Sequence, residues 1–260
     1  MTSLALSSAL RNPLLSAVGR APHAPTTVVL GLPHAGGTCR LFRGWERLMP
    51  PATQLLALCY PGRETRLAHA PFHRMSELVD QILAATLFLE DMDLYLFGHS
   101  MGALVGYAVC QEMAARDRRA PAGLIASSSR SPWGAPQGDP IRTRSDESLC
   151  EEILALNGTP PEILKDPATR DLFLAPLRAD YELLETWAPD DSPIAVPVLE
   201  IHGDADSLTD DDIDGWRRST TGAFRSQTVP GGHFYLLDSP ILATRCLADL
   251  IQFRSTSDHQ

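Results

Sequence analysis

Gly98-His99-Ser100-Met101-Gly102 sets a serine between small residues, with LYLF before it and ALVGYAV after it. A buried strand that turns sharply into a helix at a serine is a nucleophile elbow: the flanking residues must be small because the serine backbone is strained and its Oγ has to stand proud of the sheet. The start of the following helix adds unpaired N–H groups and a dipole suited to developing negative charge. A serine hydroxyl is a weak nucleophile until a base takes its proton. Of the eight histidines, His233 in Pro230-Gly231-Gly232-His233-Phe234 is the expected base, because a glycine-loosened loop near the C-terminus can carry it over the sheet edge. His99 is adjacent to the nucleophile and points away from it, so packing is its expected role; His34 and His202 stand near strand ends, where hydrogen bonding would account for them. The base needs an acid to orient it, and the chain order Ser, acid, His puts that acid in Gly203-Asp204-Ala205-Asp206. Asp206 is the expected acid and Asp204 a loop cap; the reverse assignment is the alternative. For the oxyanion, the Met101 backbone N–H supplies one donor and the Ala35 N–H, in the small-residue loop Pro33-His34-Ala35-Gly36-Gly37, the second. A plain glycine turn is the other reading of that loop.

Positioning these groups requires strands that alternate with helices. Apolar, β-branched runs at residues 26–32, 54–60, 94–97, 123–127, 198–202 and 226–229 read as strands. Helical spacing recurs in residues 41–49, 76–89, 101–116, 149–156, 172–187, 211–219 and 241–253. The alternation predicts an α/β fold with a mostly parallel central sheet flanked by helices. Residues 129–193 break the alternation, with Pro and Gly followed by two helices, and are expected to form an inserted helical lid. Residues 1–25 are expected to be a flexible N-terminal extension, and 26–260 a single domain.

Composition narrows the function. The chain has 260 residues, 44% hydrophobic and 21% charged, which suits one large soluble domain. Its net charge of −10 argues against a nucleic-acid partner. The five cysteines are scattered and never spaced C-x-x-C, which argues against a disulfide framework and a zinc site and suits a reducing cytoplasm. Glycines interrupt the uncharged stretch 94–111, so no membrane span is expected, and the N-terminus lacks a secretory signal pattern. Neither a metal nor a cofactor is expected, and the protein is expected to be a monomer.

In order along the chain, LPHAGGT, YPGRETR, LFGHSMGALVGY, LRADYELLETW, HGDAD and PGGHFYLLD resemble the type II, stand-alone thioesterases of polyketide and nonribosomal peptide synthetases. The resemblance spans about residues 26–253. It implies an α/β-hydrolase fold with a helical lid, and it places the triad on Ser100, Asp206 and His233 with oxyanion donors at Ala35 and Met101. It also implies hydrolysis of stalled or wrongly loaded acyl groups from the phosphopantetheine arms of carrier proteins. Two departures stand out: Asp206-Ser207-Leu208 where the family commonly has Asp-Pro-Leu, and Gly106-Tyr107-Ala108 where an acidic residue is often found. Candidate charges for docking an acidic carrier are Arg40, Arg43 and Arg47, Arg63 and Arg66, or Arg142 and Arg144. Arg178 is expected to pair with an acid or cap a helix. The same triad would also serve a product-releasing thioesterase, an acyltransferase or a small-molecule esterase, and a catalytically dead binding partner is the reading from another class.

Overall fold

In the computed structural model, which describes residues 12–20, 22–134, 140–156 and 158–257, seven strands form one sheet in the order β1-β3-β2-β4-β5-β6-β7. The strands are β1 (Leu15–Val18), β2 (Thr27–Leu32), β3 (Thr53–Leu58), β4 (Asp93–His99), β5 (Gly123–Ser127), β6 (Val198–Gly203) and β7 (Phe224–Val229). All neighbours are parallel except β1, which pairs antiparallel with β3.

Successive side chains of a strand point to opposite faces, and here both faces are covered. Val28, Leu30, Leu94, Leu96 and Leu124 enter one core with helices α1 (Met75–Ala85) and α2 (Met101–Ala115). Their neighbours Val29, Tyr95, Phe97 and Ile125 enter the other, under α7 (Tyr235–Asp238) and α8 (Pro240–Ser257). Strands buried on both sides have no polar stripe, which is why these segments read as unbroken apolar runs.

Between β5 and β6 the chain inserts α3 (Asp146–Ala155), α4 (Pro161–Lys165) and α5 (Pro167–Thr186); α6 (Asp210–Arg218) follows β6. The insertion has a small core of its own, in which Leu149, Ile153, Leu164, Leu174 and Leu177 meet. Pro176 removes a backbone donor from the middle of α5.

Two expectations need correction. Part of the N-terminal segment expected to be flexible is the edge of the sheet: Leu15 is paired with Leu58, Leu14 and Leu15 are buried, and the Cys59 N–H donates to the Leu14 carbonyl at 2.8 Å. Residues 1–11 and 21 lie outside the described residues. The helix expected over 41–49 is two 3₁₀ turns, Cys39–Phe42 and Trp45–Arg47, separated by Gly44 at φ 88°. The three-residue spacing stacks Phe42 edge-on against Trp45, with ring centroids 5.2 Å apart.

Candidate active site

Strand β4 ends at His99 and α2 begins at Met101, so Ser100 alone makes the corner, at φ 54° and ψ −118°. A non-glycine residue held there stores on the order of 1–3 kcal/mol and persists only where its surroundings impose it. They do so on both sides. The Ser100 N–H donates to the Ser127 carbonyl at 2.8 Å. A Cβ on Gly98 would stand 2.2 Å from the Gly102 carbonyl oxygen, and one on Gly102 would stand 2.0 Å from that of Leu32.

The other two residues arrive on adjacent strand ends. After β6 the Asp204 N–H donates to the Val229 carbonyl, the Ala205 N–H donates to the Gly231 carbonyl, and the Asp204 carboxylate accepts the Gly231 N–H at 2.9 Å. Gly203 permits this closeness, since a Cβ there would stand 2.1 Å from the Gly231 oxygen. With the loops locked together, both Asp206 carboxylate oxygens lie 3.2 Å from His233 Nδ1. Asp206 is thus the residue that meets the imidazole, and Asp204 is the loop cap. The Asp206 side chain is 1% exposed. Burial pushes its carboxyl up, but the His233 hydrogen bond and charge, together with further hydrogen bonds to the carboxylate, hold it below the usual carboxylate range. The Ser207 N–H adds a 2.7 Å hydrogen bond to Oδ1. With Nδ1 committed to the carboxylate, Nε2 is the nitrogen left to act as base.

Two more histidines pack around His233. The His99 ring centroid lies 5.3 Å from that of His233 and 5.8 Å from that of His34, and His34 stacks edge-on against Phe234 at 4.7 Å. His99 Nδ1 is 3.0 Å from the Ser127 hydroxyl, which is 2.8 Å from that of Tyr235. The expected packing role of His99 is what the structure shows, and His202 is hydrogen-bonded to Glu200 and Thr228. His34 differs, because among the described residues its buried Nδ1 has no hydrogen-bond partner. Burial, and secondarily the charge of His233, lowers both neighbours: His34 to about 3, and His99 well below the usual histidine value. Both therefore stay uncharged near neutral pH.

This has a consequence for stability. Unfolded, His34 binds a proton as pH falls below about 6.5, whereas folded it resists until about 3. Its contribution is therefore present above pH 6.5 and is lost on acidification through that window. Between pH 6.5 and 5 the loss is about 2 kcal/mol, from 1.36 kcal/mol per unit. Urea midpoints at the two pH values should fall less for His34→Gln than for wild type, and equal falls would contradict the assignment.

Sequence reading missed what holds the Ala35 loop. Arg63 and Asp180 form a buried two-pronged ion pair, at 2.7 and 2.8 Å, that bonds this loop as well. Asp180 stands among the apolar positions of a helical segment, which is a signal, but Arg63 lies in the polar run Arg63-Glu64-Thr65-Arg66 and gives none; Arg63 is removed from the docking candidates because it is 8% exposed. Of the rest, Arg40 pairs with Glu64, Arg142 with Glu185 and Arg144 with Glu152, while Arg66 donates to the Cys59 carbonyl. Arg178 pairs with Asp146 and donates to the Arg142 carbonyl. Among the described residues, no group of three or more His, Cys, Asp or Glu could hold a metal ion, and no helix is long and apolar enough to cross a membrane.

A parallel sheet whose central strand breaks at a strained serine into a helix, with the following strand ends carrying the acid and the histidine in that order, is the architecture of the α/β-hydrolases. Residues 28–250 match the thioesterase domain family. Thioesterase PikA5 of Streptomyces venezuelae is 34% identical over 221 residues, covering 84% of this chain and 78% of its own. Gramicidin S biosynthesis protein GrsT of Aneurinibacillus migulanus is 28% identical over 210 residues, covering 80% and 82%. Among solved structures, the type II thioesterase BorB from the borrelidin biosynthetic cluster matches with a TM-score of 0.80 at 28% identity, over 91% of this chain and 97% of its own. The RedJ thioesterase of the prodiginine pathway in Streptomyces coelicolor gives 0.78 at 30% identity, over 90% and 95%. The chain belongs to the thioesterase family, and it is a thioester hydrolase.

Proposed function

We propose that this thioesterase clears aberrant or stalled acyl groups from the phosphopantetheine arms of carrier proteins in polyketide or nonribosomal peptide assembly. The observation that carries the reading is the Asp206–His233 pair, whose imidazole packs 5.3 Å from the ring of His99 next to the Ser100 corner, in a chain whose relatives are named for such pathways. His233, held by Asp206, takes the Ser100 proton as Oγ attacks the thioester carbonyl. The Ala35 and Met101 N–H groups receive the oxyanion. Met101 is the first residue of α2, so its N–H has no partner within the helix. The thiol of the arm leaves with a proton from His233, and water activated by the same imidazole releases the acid from the acyl-serine.

The partner is an acyl or peptidyl carrier protein, and no cofactor is needed beyond the arm it brings. Arg43 and Arg47 are exposed and Arg40 is 77% exposed, just beyond the Ala35 loop, so this cluster is the docking patch for an acidic carrier. On a protein of net charge −10, such a patch makes encounters weak and local, as suits sampling of many carriers.

The test mixes the protein with carriers loaded with acetyl, propionyl and longer acyl groups and follows every species by intact mass. Loss of acyl from several carriers supports editing. Release of one long chain alone would make it a product-releasing enzyme, a persistent acyl-enzyme discharged only by an added amine or thiol would make it a transferase, and turnover confined to plain esters would make it an esterase.

A further inference from the structure

The turn His34-Ala35-Gly36-Gly37 closes on itself through a 2.9 Å bond from the Gly37 N–H to the His34 carbonyl, with Gly36 at φ 73°. A positive φ at the third position calls for glycine. Closure uses the Gly37 N–H. The Gly36 N–H is taken by Asp180 Oδ2 at 2.8 Å, and the Gly37 carbonyl accepts from Arg63 Nη1 at 3.1 Å. Among the described residues, that leaves the Ala35 N–H as the one interior amide of the turn without a partner.

Asp180 belongs to α5 of the insertion, and Arg63 to the chain following β3. The same helix rests on the same turn: a Cβ on Gly36 would stand 3.0 Å from Leu177 Cδ1 and 3.2 Å from Phe173 Cζ. It also rests on the arginine's segment, since a Cβ on Gly62 would stand 3.2 Å from Pro176 Cβ. Both charges are nearly sealed from water, at 8% and 4% exposure. Buried ion pairs of this kind often contribute no more stability than well-packed apolar residues of similar volume. What apolar residues would not reproduce is the pair of bonds to the turn.

We propose that Arg63 and Asp180 are positioning residues for the oxyanion hole: they clamp the 34–37 turn from both sides, so that the Ala35 N–H is aimed before substrate arrives and only while α5 is seated. The proposal rests on the reading of Ala35 as an oxyanion donor. Releasing the clamp lets the donor shift, and a displacement of about 1 Å in a catalytic group costs up to ~10²-fold in rate.

The test replaces the pair with Arg63→Met and Asp180→Leu together, which strands no charge, and Asp180→Asn alone is the second variant should the first not fold. Arg178→Gln, on the same helix but bonded away from the turn, is the control. Four quantities are read: kcat and KM on a small acyl thioester, affinity for a trifluoromethyl ketone that forms a tetrahedral oxyanion on Ser100, and affinity for the free product acid. The double variant is expected to keep its urea midpoint and product affinity, to lose about 10- to 100-fold in kcat, and to lose trifluoromethyl ketone affinity by the same factor. Asp180→Asn should show the same pattern, about fivefold or more, and Arg178→Gln should stay within twofold. A folded variant with kcat and ketone affinity within threefold of wild type would overturn the proposal, as would a loss confined to KM. The ketone reports on the hole whether or not carrier proteins are the substrate, so failure of the carrier reading would leave this test standing.

Discussion

Asp206→Asn is expected to lower kcat by about 10³- to 10⁴-fold with little change in fold, and Asp204→Asn to leave it within about threefold. The first figure is the general cost of presenting the base in the wrong tautomer. Here the cause can be traced to single atoms. The Ser207 N–H donates to Asp206 Oδ1 at 2.7 Å, so an asparagine would keep its oxygen on that donor and turn its NH₂ toward His233 Nδ1. Nδ1 would then have to accept, placing the ring proton on Nε2, where it cannot receive the one from Ser100. At residue 204 the carboxylate accepts the Gly231 N–H, and an asparagine oxygen does the same. Steady-state kinetics on an acyl thioester, with Ser100→Ala marking the uncatalysed floor, separates the two. A loss at 204 comparable to that at 206 would exchange the two roles.

That experiment also marks the limit of what the chain reveals unaided. The six parallel strands and the serine corner were legible because a strand buried on both faces has no polar stripe and an elbow tolerates only small flanks; both constraints are local. The choice between Asp204 and Asp206 turned on register. Both sit in one five-residue stretch, and only the cross-bonding of the Asp204 and Gly231 segments decides which carboxylate meets the imidazole. Ser207 shows the same limit, for its N–H bonds Asp206 where the family commonly has a proline that has none. The Arg63–Asp180 pair was least legible, since 117 residues separate its members and Arg63 belongs to no periodic pattern. An arginine in a polar segment reads as a surface charge until the fold closes over it. The N-terminal strand escaped for a different reason: an edge strand of four residues presents too little alternation to stand out, and its pairing is supplied by β3.

Gly102→Ala should be severely damaging, lowering stability by about 3 kcal/mol or more and activity by about 10²-fold. Gly106→Ala, one turn along the same helix, should fall within about 1 kcal/mol of wild type. Helix propensity favours alanine over glycine at both sites by a similar amount, near 1 kcal/mol, so the contrast comes from what each methyl meets. At Gly106 it would stand 2.7 Å from Leu124 Cδ1, the end of a side chain that can turn aside. At Gly102 it would stand 2.0 Å from the Leu32 carbonyl oxygen and 2.9 Å from that of Pro33, both backbone. Relief there requires β2 and the start of α2 to move apart. Pro33 leads directly into the turn that holds Ala35, and α2 begins at Met101, so the same movement separates the two proposed oxyanion donors. Urea midpoints and kcat measured on both variants test this. Equal destabilisation at 102 and 106 would show that the helix and strand can yield to one another, and retained kcat in a destabilised Gly102→Ala would show that the spacing of the donors is set elsewhere.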